Sequence, residues 1–118
     1  MLLWGAITKY SQYEEMFDTL RRRNITTAQF HLMLILASRG DQWTSMQELV
    51  DKMQKTRNLK VVQSSVSRAI QNLGETNRYG KAGHDLLEFK GDDEDGRVLF
   101  FRLNRKGMKL VDDLTSKL

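Results

Sequence analysis

Apolar positions along the chain recur mostly at helical spacing. Tyr10, Tyr13, Phe17 and Leu20, with Met16 beside them, follow a three-to-four period, and Arg21-Arg22-Arg23 closes the run with charge that favours a helix C-terminus. This predicts a helix over about 7–23, whose aromatic stripe suits either an ordinary core or a dimer interface. Asn24-Ile25-Thr26-Thr27-Ala28-Gln29-Phe30 reads as a helix start. Thr26 can cap, Gln29 can reach back to complete a capping box, and Ile25 and Phe30 occupy the positions of a hydrophobic staple. From Phe30 to Ala37 the chain is apolar on most sides, so this helix is central; it runs to about Ser38 and Gly40 ends it. Gln42-Trp43-Thr44 can form one short strand. Ser45 and Glu48 make a second capping box, opening a helix over about 45–54 with Met46, Leu49, Val50 and Met53 on its apolar side.

A polar, basic connector from Gln54 to Lys60 leads to a helix over about 62–74 with two unlike faces. Val66, Ala69, Ile70 and Leu73 form one apolar stripe, while Ser64, Arg68 and Gln71 turn the other way, with Ser65 and Ser67 on the flanks. Gly80-Lys81-Ala82-Gly83 reads as a flexible loop. Two β-rich runs, 86–90 and 97–103, surround Gly91-Asp92-Asp93-Glu94-Asp95-Gly96, which has the composition of a turn, and so predict a β-hairpin. Asn104 caps a last helix with Met108, Val111, Leu114 and Leu118 as its apolar seam. The predicted fold class is mainly α with a small β-hairpin wing. It is a winged helix-turn-helix in one domain over 1–118, flanked by terminal helices at about 7–23 and 104–118.

Composition narrows the chemistry. The 118 residues suit one domain with a modest core, 40% of them hydrophobic, and the formal net charge of +4 is permissive for nucleic acid. Its distribution says more. Residues 52–68 hold Lys52, Lys55, Arg57, Lys60 and Arg68 with no acid, and residues 97–109 hold Arg97, Arg102, Arg105, Lys106 and Lys109 with no acid. The chain has no Cys, so neither disulfides nor thiolate or zinc-cluster chemistry is available. Its longest apolar run is too short to span a bilayer, and its start lacks the pattern of a signal peptide, so the expected location is the cytoplasm. His31 and His84 are isolated: His31 reads as a core histidine, His84 as a loop residue. The acidic turn lacks the spacing of a calcium loop. No triad, carboxylate pair or phosphate loop is visible, so the expectation is no enzyme, no metal and no cofactor. Leu32, Met33 and Trp43 read as core rather than as the lining of a small-molecule pocket.

The two-faced helix is the one feature with a chemical direction. A short face of hydroxyls, a guanidinium and an amide fits a DNA major groove, serines meeting phosphates and Arg68 and Gln71 reaching base edges. Lys55, Arg57 and Lys60 form either a phosphate-tracking edge or a solvated basic loop.

The chain resembles the MarR-type winged-helix transcription regulators, including compact members carried by bacteriophages. The resemblance rests on Ile25-Thr26-Thr27-Ala28-Gln29-Phe30 at the second helix and on Gln63-Ser64-Ser65-Val66-Ser67-Arg68 at the recognition helix. It is most specific in Asp95-Gly96-Arg97, five residues, then Leu103-Asn104-Arg105-Lys106-Gly107 at the wing. Val61-Val62 stand where that family has a polar cap, which makes Ser64 the candidate cap. The resemblance implies a homodimer joined through the terminal helices, with Tyr13, Phe17, Leu20, Val111, Leu114 and Leu118 at the interface. It implies a double-stranded, pseudo-palindromic site contacted by Ser45, Lys60, Gln63, Ser64, Ser65, Ser67, Arg68 and Gln71. Arg97 would enter the minor groove, supported by Asp95. Without DNA, Asp95 and Arg97 would make an ordinary cross-turn ion pair. The acids at 92–94 repel phosphate, so a rival reading is a winged-helix protein-interaction module whose acidic wing meets a basic partner. Another is a replication or excision accessory protein. Neither the operator nor any small-molecule effector can be read from these residues.

Overall fold

The α1–α2 corner is set by two residues. Asn24 takes a left-handed conformation (φ 56°), which Asn tolerates better than most side chains, and the Ile25 amide then donates to the Leu20 carbonyl at 2.9 Å. The chain is thereby turned out of α1 (Leu2–Arg22) and into α2 (Thr27–Ser38). In this computed structural model, which describes residues 2–57, 62–74, 83–91 and 99–116, the remaining elements follow in order. They are β1 (Thr44–Ser45), α3 (Met46–Arg57), α4 (Gln63–Leu73), β2 (Leu87–Gly91), β3 (Leu99–Leu103) and α5 (Arg105–Thr115). The three strands form one antiparallel sheet in the order β1-β3-β2, with Phe101 opposite Thr44 on one side and Phe89 on the other.

Helix α2 is central, as its all-round apolarity predicts. Phe30, Leu32, Met33, Ile35 and Leu36 are buried, and α3, α4, α5 and β3 all pack on it. Its start is the expected capping box: Gln29 N–H donates to Thr26 Oγ1 at 3.1 Å, and Thr26 N–H donates to Gln29 Oε1 at 2.9 Å. At its end Gly40 takes φ +62°, where a side chain would be strained. His31 is half-buried rather than a core residue.

Helix α3 is longer than its sequence pattern suggests and absorbs half of the expected connector. Nothing in Gln54-Lys55-Thr56-Arg57 breaks a helix, three of the four are good helix formers, and the Thr56 hydroxyl donates back to the Lys52 carbonyl at 3.0 Å. Likewise α1 starts at Leu2, five residues before the expected start. The first strand is Thr44–Ser45, starting two residues and ending one residue later than expected. Thr44 is fully buried beside Phe101, and Ser45 both ends the strand and caps α3.

The last helix buries Gly107, Leu110, Val111 and Leu114. Leu110 replaces Met108 in the expected seam; Met108 is 39% exposed. The reason is local. Gly107 sits against the Leu86 carbonyl where no Cβ fits, and that contact fixes which side of α5 faces inward. Asn104 caps the helix through Oδ1, which accepts from Gly107 N–H at 2.8 Å, while its Nδ2 donates to the Asp85 carbonyl at 2.7 Å.

Candidate nucleic-acid interface

Helix α4 is amphipathic in the strict sense. Val66, Ile70 and Leu73 are buried in the core and Ala69 packs against it. Gln63, Ser64, Ser65, Arg68 and Asn72 are exposed, and Ser67 and Gln71 half-buried. The polar face carries no acid. Among the described residues, none of the Gln63, Ser64, Ser65, Ser67, Arg68 and Gln71 side chains has a hydrogen-bond or ion-pair partner within the chain. Asn72, absent from the sequence-based set, lies next to this face; its signal was only its place one helical turn past Arg68.

The helix start differs from expectation. Val62, not Ser64, is the cap, with extended dihedrals (φ −85°, ψ 129°) and no side-chain cap bond. Ser65 and Val66 N–H groups both point to the Val62 carbonyl, at 3.1 and 3.4 Å. Ser64 therefore sits inside the first turn, and the amides of Gln63 and Ser64 have no intrahelical acceptor. An uncapped helix start lined by exposed donors is a place where anionic oxygen is favoured.

The hairpin is fastened to the other end of α4. His84, Asp85 and Leu86 donate their backbone N–H groups to the carbonyls of Asn72, Gly74 and Leu73, at 3.0, 2.9 and 2.7 Å. Gly83, expected in a flexible loop, passes so close to the Gly74 carbonyl that no Cβ would fit. The Phe89 ring lies over Gly74 and meets Phe101 edge-on, with centroids 5.4 Å apart. On the outer sheet face the Arg102 guanidinium lies 4.2 Å from the Trp43 ring centroid and pairs with Glu88. Trp43 is thus a half-buried surface platform and not core, while Leu32 and Met33 are core as expected.

The other candidate residues fall into three groups. Ser45 is half-buried, and its hydroxyl is occupied in the α3 capping box, at 3.2 Å from both Glu48 N and Glu48 Oε1, with Glu48 in turn paired to Arg39 at 3.2 Å. Lys52 and Lys55 are exposed on α3. Lys60, Asp95, Arg97 and the acids at 92–94 lie outside the described residues, as do Leu118 and the loop residues 80–82. Of the expected interface set, Tyr13 and Phe17 are each 44% exposed. Leu20, Val111 and Leu114 are instead packed in the chain's own core, because the helical period turns Leu20 inward with Met16. Among the described residues, no three His, Asp or Glu side chains converge as a metal site, and no helix is long and apolar enough to cross a membrane.

The chain superposes on MepR of S. aureus, solved in complex with DNA, with a TM-score of 0.72 at 21% identity, covering 99% of this chain and 82% of that one. The fold is the MarR-type winged helix. YusO of Bacillus subtilis has the same winged helix, with a TM-score of 0.69 at 18% identity over 98% of this chain and 70% of its own. NadR, solved with 4-hydroxyphenylacetate, follows at 0.64 and 19% identity, covering 99% of this chain and 72% of that one. No protein-family model matches the sequence, and no curated protein matches it. In winged-helix terms α3 and α4 take the positions of the helix-turn-helix pair, α4 that of the recognition helix, and β2–β3 that of the wing.

Proposed function

We propose that the chain is a sequence-specific, double-stranded DNA-binding transcription regulator, acting as a homodimer in the cytoplasm and excluding polymerase from the promoters it covers. One observation carries this reading: the recognition helix is locked to the core by one face and presents on the other a set of donors with no hydrogen-bond or ion-pair partner among the described residues. A folded protein has no internal use for that face. Its Arg, Gln and Ser side chains are the types that read base edges and hold phosphates. MepR, which has the same fold, was solved in complex with DNA, which supports a DNA-binding use of this fold. On this reading Arg97, at the wing tip, enters the adjacent minor groove and Lys60 meets a phosphate.

The dimer reading is supported by α1. Its 21 residues make a rod about 31 Å long at 1.5 Å per residue, and the molecule measures 58 Å along its longest axis against 31 and 25 Å across. Tyr10, Tyr13 and Phe17 are exposed along it. Beside it, an open cleft of about 330 Å³ between α1 and α5 is lined by Met16, Thr19, Arg23, Leu110 and Leu114 among others. A second copy covering the aromatic stripe would make a two-fold dimer, and binding successive half-sites requires its two recognition helices to lie about 34–36 Å apart, one DNA turn. Sedimentation at micromolar protein should give twice the chain mass, and replacing Tyr13 and Phe17 together with Ser should give the single-chain mass with the fold intact. A parent that sediments as one chain contradicts the dimer.

The DNA reading is tested by titrating a mixed-sequence duplex over a salt series. Binding should weaken steeply and linearly on a log–log plot as phosphate contacts release counterions. A protein-interaction module would show no such slope on DNA.

A further inference from the structure

We infer that Gln29 is a positioning residue that sets the pose of the recognition helix and so controls discrimination between DNA sequences without touching DNA; this rests on the DNA-binding reading above. Gln29 and Thr44 are the buried polar side chains among the described residues, and Gln29 is 4% exposed. Its amide is committed at both ends. Oε1 accepts from Thr26 N–H at 2.9 Å, and Nε2 reaches 40 residues along the chain to donate to the Ala69 carbonyl at 3.3 Å. Only this orientation works, since the reverse would set the NH2 against an N–H and the oxygen against a carbonyl.

The acceptor matters because of where it lies. Ala69 is on the inner side of α4, next to Arg68. The side chains that hold α4 to the body, Val66, Ile70 and Leu73, are apolar, and the other directional ties described are the backbone hydrogen bonds from His84 and Leu86 to the carbonyls of Asn72 and Leu73 at its C-terminal end. Apolar packing is non-directional and tolerates small rotations and slides of a short helix. A buried hydrogen bond has an angle and a length, and left unmade it strands a polar group, so it selects one pose. Gln29 is the buried polar tie between α2 and α4. Its other end is the capping box that follows the Ile25–Leu20 hydrogen bond at the α1–α2 corner. The recognition helix is therefore referenced to the corner where the proposed dimer arm begins.

Two substitutions separate this role from simple loss of stability. Gln29→Glu, assayed at pH 8, keeps an oxygen for Thr26 N–H and removes the donor to Ala69; Gln29→Met removes both. Thr26→Ala is the control, because it weakens the same capping box and leaves the Ala69 tie in place. The readout is the ratio of affinities for a selected duplex and a scrambled one at a single salt concentration, with folding checked by circular dichroism. Both Gln29 variants should lose about tenfold or more in this ratio, the equivalent of one misplaced base contact, through weaker binding to the selected duplex. Their affinity for the scrambled duplex should match the parent, since phosphate contacts tolerate small shifts. Thr26→Ala should keep the parental ratio. If one Gln29 variant does not fold, the other decides. Parental ratios in the folded Gln29 variants, or an equal loss in Thr26→Ala, would overturn the inference. A parent with no preference for any duplex would instead overturn the DNA-binding reading on which it rests.

Discussion

Replacing Phe101 with Ala is expected to destabilise the fold by about 3–5 kcal/mol, the range for a large aromatic removed from a close-packed interior. Phe101 is 1% exposed at the centre of the sheet, opposite Thr44 in β1 and Phe89 in β2. Its ring holds Phe89 edge-on, and Phe89 lies over Gly74 at the end of the recognition helix. Truncation leaves a void that rigid neighbours fill only in part, and it loosens the wing and α4 together. Urea denaturation should show a lower midpoint with an unchanged slope. DNA affinity should fall further than that of a surface variant even where the protein remains folded. An unchanged midpoint would mean that the sheet is not the anchor of the wing.

Arg68→Ala is expected to behave in the opposite way: little change in stability, a large change in recognition. Arg68 is exposed and has no partner among the described residues, so its loss should alter unfolding by less than about 0.5 kcal/mol. If its guanidinium reads a base, the variant should lose about 1–3 kcal/mol at the selected site and relax the preference at one base pair. An equal loss on all sequences would make Arg68 a phosphate contact. No loss on any duplex would remove α4 from the groove.

Much of the fold was legible because its decisive signals are local. The capping boxes at Thr26–Gln29 and Ser45–Glu48, the Asn104 cap and the stripe Val66, Ala69, Ile70, Leu73 each involve residues a turn apart, and all are present as expected. The misread positions depend on partners distant in sequence. Leu110 rather than Met108 faces inward because Gly107 meets the Leu86 carbonyl. Leu20, Val111 and Leu114 look identical in sequence to interface residues, and only the packing of α1 and α5 on the body shows them in the chain's own core. Trp43 reads as core by composition, yet the three-stranded order puts it outside, under Arg102. The Ser45 hydroxyl is engaged in the α3 capping box, and capping and phosphate binding draw on the same group, so its sequence fits either use. The reach of Gln29 to Ala69 spans 40 residues and leaves no periodic trace at all.

The central claim is that the free face of α4 reads duplex DNA. Selection of bound sequences from a random duplex pool, run on the full chain and on Arg68→Ala in parallel, tests it most directly. The account predicts a two-fold symmetric motif with half-sites one helical turn apart for the parent, and loss of information at one position per half-site for the variant. A parent pool that shows no enrichment after repeated rounds would contradict it.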